Sequence, residues 1–176
     1  MDPAPVIIPP DASPFLLVQY DTEGQPEHWA LALLELIPPS LSVIPSTPFT
    51  RTIVHIYQVR KLSDTFAFDY QNIPYIEFAR DPALRGGCLI GFVPAPAYSN
   101  ITWLKNNIRH CVPVQEKSDW NDQHWVLDCI QWLKDEKPKW IEIGVTEETI
   151  REELAMELQR WEDVVDVVYE RLMFLQ

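Results

Sequence analysis

The chain has 176 residues, with 26 acidic against 14 basic side chains and a formal net charge of −12. That length fits one domain able to bury about two-thirds of its unfolded surface, and so acidic a surface repels phosphate backbones and anionic lipid, which excludes nucleic acid and polybasic membrane docking. The three cysteines, Cys88, Cys111 and Cys129, are odd in number and lack CxxC spacing, which excludes a disulfide framework and a zinc site.

Residues 1–14 form a proline-rich arm without helical or strand period, and it has no basic n-region that would mark a signal peptide. No apolar run approaches the roughly 20 residues that span a bilayer, so the expected compartment is the cytoplasm. Residues 15–176 read as one domain. Phe15 to Tyr20 is a short apolar run. HWALALLEL (28–36) is either a buried strand or the start of a helix, because periodicity cannot separate the two over so few residues. After the proline-broken SLSVIPSTPF loop, TIVHIYQVR (52–60) alternates and is β-branched, which predicts a strand. TFAFDYQ (65–71) follows as its antiparallel hairpin partner.

IEFARDPALRGG reads as irregular, with Gly86-Gly87 as the breaker, and CLIGFVP (88–94) as a continuous apolar strand. Ile101, Leu104 and Ile108 predict a short helix over 99–110 with Ser99 or Asn100 as cap. WNDQHWVLDCIQWLKDE (120–136) is an amphipathic helix with Trp125, Cys129, Trp132 and Leu133 on one face, stopped by Pro138. From Thr146 as N-cap, an apolar seam from Ile150 to Leu175 steps by three and four, which predicts one long C-terminal helix over about 146–176. That seam either wraps on the core or serves as a homodimer contact. The order of elements argues for an α+β fold, a small and mainly antiparallel sheet packed against helices.

Glycine-rich phosphate loops, HExxH and GxSxG are absent from the sequence, so no cofactor or metal motif is found. The titratable candidates are His28, His55, His110 and His124. EHWALAL, VHIYQV with FAFDY, CLIGFVP and WNDQHWVLDCIQWLKDE together resemble a group of fungal proteins related to the circularly permuted papain-like superfamily, which includes lecithin:retinol acyltransferase-like enzymes. The resemblance covers about residues 15–136 and is strongest at WNDQHWV. It implies a papain-like fold with His28 as general base and His55 as the polar residue that orients it. Asp122 stands where the family's pattern has the cysteine nucleophile, with Gln123 and Trp125 in register around it.

A helix N-terminus favours an anion through its dipole and free N–H groups, so a carboxylate is comfortable there. Asp122 is equally well suited to be a simple N-cap. It cannot form a thioester. The expectation is therefore a cofactor-independent acid–base enzyme of isomerase, cyclase or lyase type, in which His28, Asp122 and His55 move protons on a small apolar molecule. Trp29, Trp120, Gln123 and Trp125 would form the binding walls. The first alternative is a pseudoenzyme that binds a ligand or a protein. The second is a thiol hydrolase running on Cys88, Cys111 or Cys129.

Overall fold

The computed structural model describes residues 9, 11–25, 27–36 and 52–174, so most of the N-terminal arm lies outside the described residues. Five strands form one sheet: β1 (Ser13–Tyr20), β2 (His28–Glu35), β3 (Ile53–Leu62), β4 (Thr65–Pro74) and β5 (Leu84–Val93). Their order across the sheet is β4-β3-β2-β1-β5, and every neighbouring pair is antiparallel. Five helices complete the described chain: α1 (Tyr75–Ala79), α2 (Ala97–Cys111), α3 (Asp122–Glu136), α4 (Glu147–Glu162) and α5 (Val168–Phe174). The fold class is α+β, as the pattern of elements suggested.

Both faces of the sheet are covered, and this explains why β1 and β2 are apolar without alternation. Phe15, Leu17, Trp29, Leu31 and Leu33 face a core closed by α2, α3 and α4. Leu16, Val18, Ala30, Ala32 and Leu34 face a second core closed by α1 and α5. HWALALLEL is thus a strand buried on both sides. In α3, Trp125, Val126, Cys129, Ile130 and Leu133 are buried at helical spacing, whereas Trp132 lies beside the core and stacks on Trp103 at 5.4 Å.

Three local expectations change. The stretch after β4 holds the short helix α1, whose Tyr75 and Phe78 fill the second core. Helix α2 begins at Ala97, after Pro96, with no side-chain cap. Asn100 instead donates from Nδ2 to the Pro94 carbonyl at 2.7 Å. Gly86-Gly87 sits inside β5 and does not break it. A Cβ on Gly87 would come within 2.4 Å of the Leu17 carbonyl, so only glycine lets β5 approach β1 there.

The largest correction is at the C-terminus. Thr146 caps α4 as expected, accepting from the Thr149 N–H in a reciprocal capping box. The helix then stops at Glu162, and Val164 adopts a left-handed φ of 56°. The β-branched run Val164-Val165-Asp166-Val167-Val168 is poor helix material. The break redirects the chain: Ile150 and Leu154 enter the first core, while Val167, Val168 and Leu172 enter the second. The apolar seam read as one helix is therefore divided between the two faces of the sheet. Leu175 lies outside the described residues.

Candidate active site

Strand alternation decides which side chains can meet. His28 opens β2 on the face of Ala30, Ala32 and Leu34, and Gln58 lies on the same face of β3 with Val54 and Ile56. The N-terminus of α3 ends beside this corner. Asn121 is the N-cap, its side chain accepting the His124 N–H at 3.2 Å, so Asp122 is the first helical residue and not the cap. Freed from capping, the Asp122 carboxylate uses one oxygen twice. Oδ2 accepts the Trp29 backbone N–H at 2.7 Å and lies 3.0 Å from His28 Nδ1.

The network continues outward across the strands. His28 Nε2 meets Gln58 Oε1 at 2.8 Å, and Gln58 Nε2 donates to Asp69 Oδ2 at 2.9 Å. Gln71 also donates to that oxygen, at 2.8 Å, and Arg60 approaches it at 3.6 Å. An ionised carboxylate only accepts, so Gln58 must turn its NH₂ to Asp69 and its carbonyl to His28. His28 then faces an acceptor at each ring nitrogen, an arrangement that suits the doubly protonated imidazolium. Burial is the largest single influence on this group and lowers its pKa. The hydrogen bonds to Asp122 and Gln58, with the Asp122 charge, outweigh it and leave the His28 pKa raised above the ordinary histidine value.

His28, Gln58, Gln71 and Asp122 lie on the wall of a cleft of about 1290 Å³ that Tyr20, Phe66 and Trp120 also line. Among the described residues, the second Asp122 oxygen, Oδ1, has no hydrogen-bond partner, and the side chain is 16% exposed. The site thus presents an open carboxylate oxygen, backed by an imidazolium that a glutamine holds in place.

The other sequence-derived candidates are dispersed. His55 is three residues from Gln58 on β3 and so points to the opposite face. There it bonds Glu35 and Tyr70 and does not orient His28. The Trp29 ring is buried in the first core under Arg151, and what reaches the site is its backbone N–H. Trp125 is fully buried, its indole N–H bonded to the Val112 carbonyl at 3.0 Å. Gln123 ties α3 to the Glu27 carbonyl at 2.8 Å. Of the four expected walls only Trp120 lines the cleft, edge-on to Phe66. His124 is exposed within the α3 capping box.

Gln58, Asp69 and Gln71 were not singled out from the sequence. Their signal was the same alternation that separated Gln58 from His55. Cys88 and Cys129 are buried, and burial pushes both thiols up, while Cys111 is exposed at the end of α2. Among the described residues, no three His, Cys, Asp or Glu side chains converge to hold a metal ion, and no helix is long and apolar enough to cross a membrane. Comparison with models of protein families, with curated protein sequences and with solved structures returned no match.

Proposed function

We propose that the chain is a relative of the permuted papain-like hydrolases whose cleft has exchanged covalent for acid–base chemistry. The observation that carries this reading is the 3.0 Å approach of His28 Nδ1 to Asp122 Oδ2 at the cleft wall. The order Asp122–His28–Gln58 follows the logic of nucleophile, base and orienting group, with a carboxylate at the helix N-terminus where a thiolate would stand. Gln58 takes the orienting part that the resemblance gave to His55.

A carboxylate here is a poor acyl carrier but a competent proton acceptor. Asp122 takes a proton from a substrate carbon or oxygen on Oδ1, while the imidazolium offsets the charge that develops nearby. Return of the proton to another atom of the same molecule gives an isomerisation, a cyclisation or an elimination. The apolar part of such a substrate would rest on Trp120, Phe66 and Tyr20. The thiol-hydrolase alternative has less support, since Cys88 and Cys129 are buried and their thiols pushed up, and the exposed Cys111 does not line the cleft.

A second reading has its own observation. Both ring nitrogens of His28 are occupied and Asp122 Oδ2 already accepts twice, as in a network that is complete without a substrate. On that reading the protein is a binding module.

Proton exchange separates the two whatever the reaction is. Small enolisable compounds are incubated with the protein in D₂O and read by mass spectrometry, beside Asp122→Asn and His28→Ala. An acid–base enzyme incorporates deuterium into at least one compound, and both variants lose that activity. Compounds that bind the cleft without exchange leave the binding module. Exchange that persists in both variants removes Asp122 and His28 from the chemistry.

A further inference from the structure

On the face of the sheet opposite His28, three side chains from three adjacent strands are linked by short hydrogen bonds. The register pairs Glu35 with Ile53, Leu33 with His55, and His55 with Asn72, and alternation turns Glu35, His55 and Tyr70 to the face of Leu33 and Tyr57. His55 Nε2 lies 2.7 Å from Glu35 Oε2, and His55 Nδ1 lies 2.7 Å from the Tyr70 hydroxyl. Because the carboxylate accepts, Nε2 carries a proton, and a neutral His55 must accept the Tyr70 O–H at Nδ1. Hydroxyl and imidazole form a proton relay, and the carboxylate fixes the imidazole's tautomer and balances its charge without taking a proton.

The relay opens on a cleft of its own, about 690 Å³, lined by Glu35, His55, Tyr70 and Lys105 with Ile53 and Ile101 among its apolar walls. The Lys105 ammonium stands 4.3 Å from the centre of the Tyr70 ring, on the side chain that ends the relay. Beside it the Tyr57 ring is 5.3 Å from that of Tyr70, and the fully buried Tyr57 hydroxyl has no hydrogen-bond partner among the described residues. A buried hydroxyl left so is costly; Tyr57 belongs to the first core and does not line the cleft.

We propose that this cleft takes up a small, weakly acidic hydroxyl compound, a phenol or an enol, as its anion, with Tyr70 as the proton-transferring group and His55 as the proton store. The ligand O–H proton passes to the Tyr70 oxygen as the Tyr70 proton passes to His55 Nδ1. Only O–H and N–H bonds change, and nothing is oxidised or reduced. The new imidazolium pairs with Glu35, which matters because His55 is only 6% exposed and has little help from water. The ligand anion accepts from the Tyr70 O–H and pairs with Lys105, two charge-assisted contacts that its neutral form lacks. This inference rests on other residues than the His28–Asp122 reading and stands or falls apart from it.

The probe is 4-nitrophenol, whose anion absorbs visible light. At a pH where the free probe is mostly protonated, the wild-type protein raises the anion absorbance saturably. The ¹⁵N signals of the His55 ring move to the imidazolium pattern as it binds. Tyr70→Phe and Lys105→Met, at half-buried and exposed side chains, keep the fold and weaken binding by about 10- to 100-fold. An unchanged absorbance, variants that bind like the wild type, a His55 that stays neutral in the complex, or shifts centred on His28 would each overturn the proposal.

Discussion

Asp122→Asn tests the core of the first site with little change in shape. The asparagine carbonyl can still accept the Trp29 N–H, so what is lost is the contact between charged groups at 3.0 Å. At an effective dielectric of about 20, the gross attraction over that distance is about 5 kcal/mol. Desolvation of both ions cancels much of it, and the net value of a hydrogen bond between charged groups is about 1.5–3 kcal/mol. The side chains are only 18% and 16% exposed, so solvent screening removes a minor part. With a urea slope of about 2 kcal/mol per molar, the unfolding midpoint should fall by about 1 M at pH 6.

The pH dependence is the sharper part. His28 holds its proton more tightly in the folded state, so the pair's contribution is complete below about pH 6.5 and is lost as the pH rises through the raised folded value. The penalty of the variant should therefore shrink by pH 9. In parallel, the His28 ring signals should titrate above the ordinary histidine value in the wild type and below it in the variant, where burial acts without its partner. An unmoved His28 titration, or one penalty at both pH values, would refute the ion pair.

Three further substitutions follow from the same structure. Gln58→Leu leaves His28 Nε2–H without its acceptor, so the His28 pKa falls in an NMR titration and stability drops by about 1–3 kcal/mol. Gly87→Ala puts a Cβ within 2.4 Å of the Leu17 carbonyl, and a calorimetric melt should show a loss of about 1–3 kcal/mol with β5 displaced from β1. Glu157→Ala removes the buried acceptor of the Val168 N–H (2.6 Å) and of Arg171 (2.7 Å). The expected cost is about 3 kcal/mol, with early amide exchange in α5 and proteolysis near residues 163–167. An α5 that stays protected in that variant would show that the clamp is dispensable.

What could be read from the sequence follows from how local each feature is. The β3–β4 hairpin was legible because TIVHIYQVR and TFAFDYQ alternate and are separated by four residues, the last two of which, Ser63 and Asp64, make the turn. HWALALLEL was undecidable because burial on both faces erases the alternation that identifies a strand. Apolar spacing over 146–176 could not reveal the stop at Val164, since the residues beyond it are buried too, only against the other face. Asp122 and His28 were picked out through the resemblance, and their meeting is a matter of tertiary placement. Gln58 was visible only as a residue facing away from His55. The Glu35–His55–Tyr70 line was hidden, because it joins residues 20 and 15 positions apart through a strand register that sequence alone does not fix.

The passage from α4 to α5 carries a consequence for how the chain is made. β5 lies at the border of the sheet, its outer edge met by residues 140–142 through the Gly91–Ile141 bridge and by Glu157 over Gly86. An uncovered strand edge is a template for other chains. Here the cover is synthesised after all five strands, and the same stretch seals both cores. A ribosome that has released only residues 1–139 therefore presents a sheet whose β5 border still lacks the Gly91–Ile141 bridge, and two unfinished apolar faces. At that stage the strand edge and both cores are open to other chains, and the complete fold waits for residues 140–172.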